Sequence, residues 1–391
     1  MPADAGSQSR AGLWGRWRED IIRAAQRENV DTAKGELMRH GQRRINWRAA
    51  SLLVVAGALL TTAACKQEVK KTEEPVKWPE IPGYAAMVIP ADNPMTRAKV
   101  ELGKQLYYDQ RLSGDGSRSC YSCHLVEHGL TDGKPRAIGA YGVELPRSSP
   151  TLWNIGYHSQ FYWDGRSGSL EAQARAAWAG GNMGASGKDG HPSIEEICAR
   201  LNQIAGYRRR FQAVFGADAN PDNVVKAIAA FERTIVAEDS AWVRFRSGNA
   251  EAFSPAAQRG WKIFSEKARC TNCHDGLLLT DQQYHNVGIG MKEKTPDVGR
   301  FKVTQNERET GAFKTPTLLD IRKSAPYFHN GSVATLEEAV NVMLNGGIKN
   351  PSLDTTNLKP VKLTKREKAD LLEFLRSLDA NYKVTPPQLP Q

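Results

Sequence analysis

Apolar positions recur at helical spacing over much of the chain. Asn93-Pro94 predicts the start of a helix that runs to about Tyr107, with Leu102 and Leu106 on its apolar face. Ser254-Pro255 predicts a matching helix in the second half of the chain. We find no strong strand pattern, so the sequence predicts an all-α fold.

Further helix starts are marked by capping residues. Ser or Thr followed three residues later by Glu forms a capping box, in which each side chain accepts a hydrogen bond from the backbone N–H of the other residue. The predicted starts are Ser193 with Glu196, Thr335 with Glu338, Thr364 with Glu367, and Asn220-Pro221. The segment from Ser193 to about Ala237 is therefore expected to be helical.

The two halves of the chain share a spacing pattern. Pro150-Thr151-Leu152 matches Pro316-Thr317-Leu318, and each is followed at the same intervals by a glycine and then by a Leu-Glu pair. The matched residues are Gly165 and Gly331, then Leu170-Glu171 and Leu336-Glu337. Segments that align in this way without gaps indicate internal duplication.

Each half also carries a Cys-x-x-Cys-His motif, Cys120-Tyr121-Ser122-Cys123-His124 and Cys270-Thr271-Asn272-Cys273-His274. Two thiols at this spacing add to the two vinyl groups of one porphyrin, and the adjacent His becomes the proximal ligand of the iron. A redox dithiol or half of a zinc site would explain one Cys-x-x-Cys, but neither requires His directly after both copies. The sequence therefore predicts two covalent c-type haems.

The predicted architecture is two cytochrome-c-like helical domains related by internal duplication, each with one covalent haem. The predicted divisions are an N-terminal extension and signal (1–65), a tether (66–92), an N-terminal haem domain (93–245), a C-terminal haem domain (246–385) and a tail (386–391). The tail is Pro-rich and is expected to be disordered.

The N-terminal segment is typical of a bacterial lipoprotein signal. Arg39 and Arg43 precede an apolar run over 49–64 that ends at Cys65, the expected site of a membrane-anchoring lipid. An uncleaved anchor is the alternative, but 16 residues are fewer than the ~20 needed to cross a bilayer. Met38 is the expected translation start, because the segment that follows has normal signal proportions. Haem attachment of this type occurs outside the cytoplasmic membrane, so we expect a lipid-anchored periplasmic protein.

Charge and cysteine content bear on the partners of the protein and on its remaining thiol. The formal charge is +10, but residues 1–64 hold ten Lys/Arg against six Asp/Glu, which leaves +6 for the rest. We therefore expect no nucleic-acid partner; a mildly basic surface suits a small acidic redox protein. Cys198 lies on a predicted helix and is expected to be a buried structural thiol.

From about Pro94 to Leu378 the chain resembles the bacterial di-haem cytochrome c peroxidases and their relative, the di-haem enzyme of methylamine utilisation. The resemblance rests on both Cys-x-x-Cys-His motifs and on three further stretches, Ser149-Pro150-Thr151, Gln160-Phe161-Tyr162-Trp163-Asp164-Gly165-Arg166 and Ala325-Pro326-Tyr327-Phe328-His329-Asn330-Gly331.

The resemblance implies a division of labour between the haems. The haem on His124 would be the low-potential site where hydrogen peroxide is cleaved. The haem on His274 would be the high-potential site that receives electrons from a small cytochrome c or a copper protein. Trp163 matches the Trp on the electron path between them, and Gln173 matches a Gln beside the peroxidatic haem. Relatives are often dimers, so a homodimer is expected.

The resemblance also implies a sixth ligand for the second haem. In the peroxidases a Met follows the Pro-Tyr-Phe-His stretch by 14 residues, which is the position of Met343. A thioether ligand raises the potential of haem iron. In the methylamine-utilisation enzyme a Tyr takes this role, so Met343 favours the peroxidase branch. Met291, in a Gly-rich loop, is the rival ligand.

Two positions depart from the family pattern at the first haem. Members that need reductive activation have a His at the position of Ala140. The haem on His124 is therefore expected to be open to peroxide without prior reduction. His128 is interpreted as a structural residue. The family's proton-moving Glu is matched by Asn182, and an amide cannot shuttle a proton. Either another acid serves, with Glu144 and Glu171 as candidates, or the activity is low or altered.

A calcium ion is usual between the domains of this family, held by an Asn side chain, two backbone carbonyls and waters. The matching positions are Ser148, Ser324 and Pro326. Since Ser148 replaces the Asn, reduced affinity is expected.

Three functions follow as hypotheses. The first is reduction of hydrogen peroxide to water. The second is oxidation of a partner protein's side chain at long range. The third, motivated by Asn182, is a di-haem electron carrier or redox sensor without peroxidase chemistry. A six-coordinate first haem that ignores peroxide would distinguish the third from the others.

Overall fold

The computed structural model describes residues 76–383 and 385–391. The predicted signal, the Met38 start, the lipid-bearing Cys65 and the first part of the tether (66–75) lie outside the described residues. Within the described ranges, no helix has the length and apolar character needed to cross a membrane.

The described residues form ten α-helices and one small sheet. The helices are α1 (Arg97–Tyr108), α2 (Leu170–Ala179), α3 (Ile194–Gln203), α4 (Ala205–Phe215), α5 (Pro221–Glu232), α6 (Ala241–Arg246), α7 (Pro255–Lys262), α8 (Phe301–Thr304), α9 (Leu336–Leu344) and α10 (Lys365–Arg376). Strands β1 (Tyr284–His285) and β2 (Phe313–Lys314) pair antiparallel. The all-α prediction is right for the main architecture and wrong for this sheet, because two-residue strands are too short to give an alternating pattern.

Most predicted helix starts are confirmed. Helices α3, α5, α7, α9 and α10 begin directly after Ser193, Asn220, Ser254, Thr335 and Thr364, and each of these side chains accepts a hydrogen bond from a backbone N–H in the first turn. Cys198 on α3 is buried, as predicted for a structural thiol.

Helix α1 begins later than predicted. Its cap is Thr96, whose side chain accepts from the backbone N–H of Lys99 at 3.2 Å. Asn93 is fully buried, and its amide donates to Glu171 Oε1 at 2.7 Å and to the carbonyl of Lys226 at 3.0 Å. The Asn-Pro pair thus ties the chain to α2 and α5 and does not cap a helix.

A glycine lies where two helices approach most closely, once in each half. A Cβ atom on Gly103 of α1 would overlap the carbonyl oxygen of Ala227 in α5. A Cβ atom on Gly260 of α7 would overlap the carbonyl oxygen of Asp370 in α10. Helices α1 and α7 each precede a Cys-x-x-Cys-His motif. These contacts therefore fix the position of the helix that leads into each motif.

Apolar residues from both predicted domains share one core. Its fully buried side chains include Trp153 and Trp242 from the first half and Phe264 and Phe374 from the second. The predicted boundary between residues 245 and 246 falls in the last turn of α6.

The C-terminal tail runs along the first half. The carbonyl of Gln388 accepts from Gln105 Nε2 on α1 at 2.9 Å, and the carbonyl of Gln391 accepts from the backbone N–H of Gly206 on α4 at 3.0 Å. The prediction of a disordered tail is wrong, because its backbone carbonyls find donors on two helices.

Candidate haem-binding site

The first Cys-x-x-Cys-His motif forms a 3-10 turn over Cys120–Cys123. His124 Nδ1 lies 3.0 Å from the carbonyl oxygen of Leu130, a residue with the left-handed φ of +62°. A carbonyl can only accept, so Nδ1 carries the proton and Nε2 keeps the lone pair that a metal needs. Burial lowers the pKa of His124 to about 4, so the ring is neutral at neutral pH.

The second motif orients its His ring by the same kind of hydrogen bond. A 3-10 turn spans Cys270–Asn272, and His274 Nδ1 lies 3.1 Å from the carbonyl oxygen of Leu279. Leu279 also has a left-handed φ, +53°. Burial lowers the pKa of His274, which is therefore a neutral ring with Nε2 free.

A cavity of about 330 Å³ lies against the first motif and is lined by Cys123 and His124. An adjoining recess of about 60 Å³ extends to Cys120. Gln173 and Asn182 line both spaces, so the structure brings together two of the side chains predicted for peroxide cleavage.

A second cavity, of about 220 Å³, lies against the second motif. It is lined by Cys270, Cys273 and His274 together with Met343 of α9. The rival Met291 is not among its lining residues; it packs against Gly311. The predicted ligand set of the second haem thus faces one space.

Trp163 separates the two cavities and lines both. Its indole Nε1 donates to the carbonyl of Ser148 at 2.9 Å, and its own carbonyl accepts from the backbone N–H of Lys314 at 2.8 Å. The ring is therefore fixed from both sides.

Lys314 is a buried cation that also lines both cavities. Its ammonium donates to His158 Nδ1 at 2.9 Å and to the carbonyl of Gln160 at 2.6 Å, and burial lowers its pKa to about 8. Because His158 Nδ1 accepts, Nε2 carries the proton; this buried N–H, in the first cavity, has no acceptor among the described residues. The buried ammonium and the buried N–H both need an acceptor here, and a carboxylate of a bound haem would be a suitable one.

Together these features fit a c-type haem in each cavity. Each cavity has two thiols, a neutral imidazole with a free Nε2 and a largely apolar wall, and Lys314 lies where both spaces meet.

Comparison with known proteins also indicates a haem protein. A family model described as di-haem cytochrome c peroxidase matches residues 97–251. The chain is 38% identical over 333 residues to cytochrome-c peroxidase IdrP1 of Denitromonas iodatirespirans, which covers 77% of this chain and 87% of the relative. The chain belongs to the di-haem cytochrome c peroxidase family.

Other members and solved structures are also similar. The chain is 36% identical over 349 residues to methylamine utilization protein MauG of Methylorubrum extorquens, with 88% of this chain and 94% of the relative covered. The crystal structure of a MauG-like protein associated with microbial copper homeostasis superposes with a TM-score of 0.69 at 32% identity, covering 78% and 96%. The Y463M variant of the di-haem peroxidase BthA from Burkholderia thailandensis shares the fold, with a TM-score of 0.62 at 18% identity over 73% and 87%.

At the first cavity this family member has no imidazole at the position of Ala140. That residue is buried, and its backbone N–H donates to the carbonyl of Asn182 at 3.1 Å. His128 lines neither cavity. The imidazoles that line the first cavity, among the described residues, are His124 and His158.

The two acids named from the sequence both lie away from the first cavity. Glu144 is exposed and pairs with Arg136 at 3.7 Å, and Glu171 pairs with Arg233 at 2.9 Å. A third acid, Glu232, lines the recess. Sequence reasoning missed it because a single Glu at the end of a helix is usually solvent-exposed.

Ser148, Ser324 and Pro326 line one small cavity of about 60 Å³ beside Trp163. The hydroxyl of Ser148 donates to the carbonyl of Phe328 at 3.0 Å. No carboxylate lines this cavity among the described residues, so any cation there would be held by neutral oxygens.

The second cavity has a charged cluster that the sequence did not reveal. His285 lies between two carboxylates, with Nε2 2.9 Å from Asp281 and Nδ1 2.6 Å from Asp354. Burial lowers the pKa of His285, but hydrogen bonds to Asp281, Cys273 and Asp354 outweigh it and raise the pKa to about 11. The ring is therefore a fixed cation at the wall of the second cavity.

Proposed function

We propose that this protein is a periplasmic di-haem c-type peroxidase that reduces hydrogen peroxide to water with electrons from a small cytochrome c or a copper protein. The observation that best supports this is that Trp163 lines two cavities, each with its own Cys-x-x-Cys-His motif. A site for peroxide and a site for incoming electrons then share one wall. The reaction takes up two electrons and two protons per peroxide and releases two waters.

Each cavity is proposed to hold one covalent haem. When bound, haem supplies the redox-active iron at which electrons are exchanged and peroxide is cleaved. The four thiols of the two motifs would hold the porphyrins, and Nε2 of His124 and of His274 would hold the irons. Lys314 and His158 would receive haem carboxylates, because each presents a buried donor that meets no carboxylate among the described residues.

The chain's own residues then divide the work. In the first cavity the amides of Gln173 and Asn182 would orient peroxide by hydrogen bonds. Ala140 has no side-chain atom that could bind iron. In the second cavity Met343 would be the sixth ligand, and its thioether raises the potential of a site that receives electrons.

We also propose that residues 93–245 and 246–385 arose by internal duplication. The matched features support this: a His ring bonded to a left-handed Leu carbonyl, a glycine at a helix crossing, and an antiparallel bridge after each Pro-Thr-Leu stretch, Phe161 with Ser167 and Tyr327 with Val333.

Long-range oxidation of a partner protein's side chain is the second candidate function. The 36% identity to MauG over 94% of its length favours it. Met343 argues against it, because the methylamine-utilisation enzyme has Tyr in this role. A di-haem carrier or redox sensor is the third candidate, since Asn182 is not an acid.

Location and assembly complete the proposal. We expect a lipid on Cys65, a membrane-bound periplasmic protein and a homodimer, without a nucleic-acid partner.

We further propose a low-affinity calcium site at Ser148, Ser324 and Pro326. Chelation is expected to leave both haem spectra unchanged; a spectral shift on chelation would mean that calcium holds a haem site in place.

The deciding experiment is an absorption spectrum of purified protein, resting and half-reduced, mixed with one equivalent of hydrogen peroxide. A rapid change of the first haem in the resting state, with release of water as the reduced product, supports the peroxidase. Absence of change in both states rejects it and leaves a carrier or sensor.

A further inference from the structure

Peroxide cleavage needs a proton donor at the first cavity, and three carboxyl side chains of the described residues line that cavity or its recess. Asp164 and Asp297 both pair with Arg147, at 2.8 Å and 2.6 Å. Burial raises the pKa of Asp297, but the hydrogen bond to Arg147 outweighs it and lowers the pKa to about 2, so this group is ionised at neutral pH. Asp164 is paired with Arg166 as well as with Arg147. The third carboxyl group is that of Glu232.

Glu232 is the last residue of α5 and is 5% exposed. It lines the recess together with His124, Gln173 and Asn182. Its Oε2 atom has no hydrogen-bond partner among the described residues. A buried carboxyl group without a cation or a donor is more stable as the neutral acid than as the ion.

The charges around Glu232 agree with a neutral acid. Arg233 follows it in the chain, but that guanidinium pairs with Glu171 of α2. The Tyr107 phenol of α1 and Cys120 are the other titratable side chains near it, and burial raises the pKa of both, so neither places a charge beside Glu232 at neutral pH. Burial raises the pKa of Glu232 to about 8; Arg233 lowers it and Glu171 raises it further. The group is therefore mostly protonated at neutral pH.

We propose that Glu232 is the proton source of the first haem cavity and replaces the acid that position 182 lacks. This inference rests on the proposed peroxidase function. The recess joins Glu232 to Gln173 and Asn182, which also line the first cavity, so polar side chains lie between the acid and the cavity. Overall, the O–O bond of hydrogen peroxide breaks, two electrons come from the donor protein, and two protons are taken up, one from Glu232 and one from solvent. Both oxygen atoms leave as water, and Glu232 is reprotonated from solvent.

The test compares the wild type with Glu232→Gln, Glu232→Asp and the exposed control Glu144→Gln, all with both haems attached. Stopped-flow mixing with hydrogen peroxide gives the rate at the first haem from about pH 6 to pH 10. We expect Glu232→Gln to lose about 100-fold or more of this rate. Its rate should also lose the decline above about pH 8 that we expect for the wild type. Glu232→Asp should keep part of the rate, and Glu144→Gln all of it.

A second readout is independent of turnover. Infrared spectra of the wild type should show a protonated carboxyl band that disappears between about pH 7 and pH 10. The band should be absent from Glu232→Gln and present in Glu144→Gln.

Each result decides a different point. A reactive wild type and an equally reactive Glu232→Gln with the same pH profile overturn this inference alone. A wild type that does not react with peroxide overturns the proposed function itself. If Glu232→Gln fails to attach both haems, the wild-type infrared titration decides, and a missing band overturns the inference.

Discussion

At the scale of single residues, Met343 is the proposed residue that sets the redox potential of the second haem. Among the described residues it is the only thioether that lines the second cavity. We expect Met343→Leu to lower the potential of that haem by on the order of 0.1 V, within the ~0.8 V range that axial ligands span. Spectroelectrochemical titration measures this. Met291→Leu is the matched control and should leave the potential unchanged; a larger shift in the control than in Met343→Leu would assign the ligand to the loop.

Single residues also show what the sequence could and could not reveal. The haem motifs were predictable because their chemistry requires thiols and an imidazole at fixed spacing along one stretch of chain. Lys314 and His158 are 156 positions apart, and their contact exists only after folding. The neutral state of Glu232 likewise follows from burial against other helices, which the local sequence does not record.

At the scale of elements, the glycines at the helix crossings are the strongest constraint. We expect Gly103→Ala and Gly260→Ala each to cost about 1–3 kcal/mol, because the added Cβ forces the helices apart. Thermal unfolding followed by circular dichroism should show a midpoint lower by about 2–4 °C per kcal/mol. Gly168→Ala is the control, since a Cβ there meets no atom within 4 Å. Midpoints equal to that of the control would mean that these helices are not in close contact.

Local and tertiary hydrogen bonds explain why some predicted helix starts were right and one was wrong. Capping boxes such as Thr335 with Glu338 are local, because both hydrogen bonds lie within one turn, and the helix begins where they predict. The Asn93-Pro94 start failed because tertiary partners took the Asn amide. The tail was expected to be disordered from its composition, but its carbonyls bind distant helices.

At the scale of the whole molecule, the proposed function requires electrons to cross between the two cavities, and we propose that they pass through Trp163, which lines both. We expect Trp163→Phe to slow steady-state turnover at least about tenfold, which corresponds to about 1.4 kcal/mol in the barrier. The smaller ring carries charge less readily and loses the hydrogen bond from Nε1 to Ser148. The single-mixing reaction of peroxide at the first haem should stay within about twofold of wild type, because the amides of that cavity are untouched.

Trp261→Phe provides the matched control, since Trp261 is also partly buried but lines neither cavity. Its turnover should equal that of the wild type. Equal turnover in Trp163→Phe would show that electrons cross by another route, for which Lys314 and Pro316, which also line both cavities, are the candidates. A loss in both rates would instead place Trp163 in the peroxide site itself. The two rates, measured on the same preparations, therefore separate electron transfer between the halves from chemistry within the first.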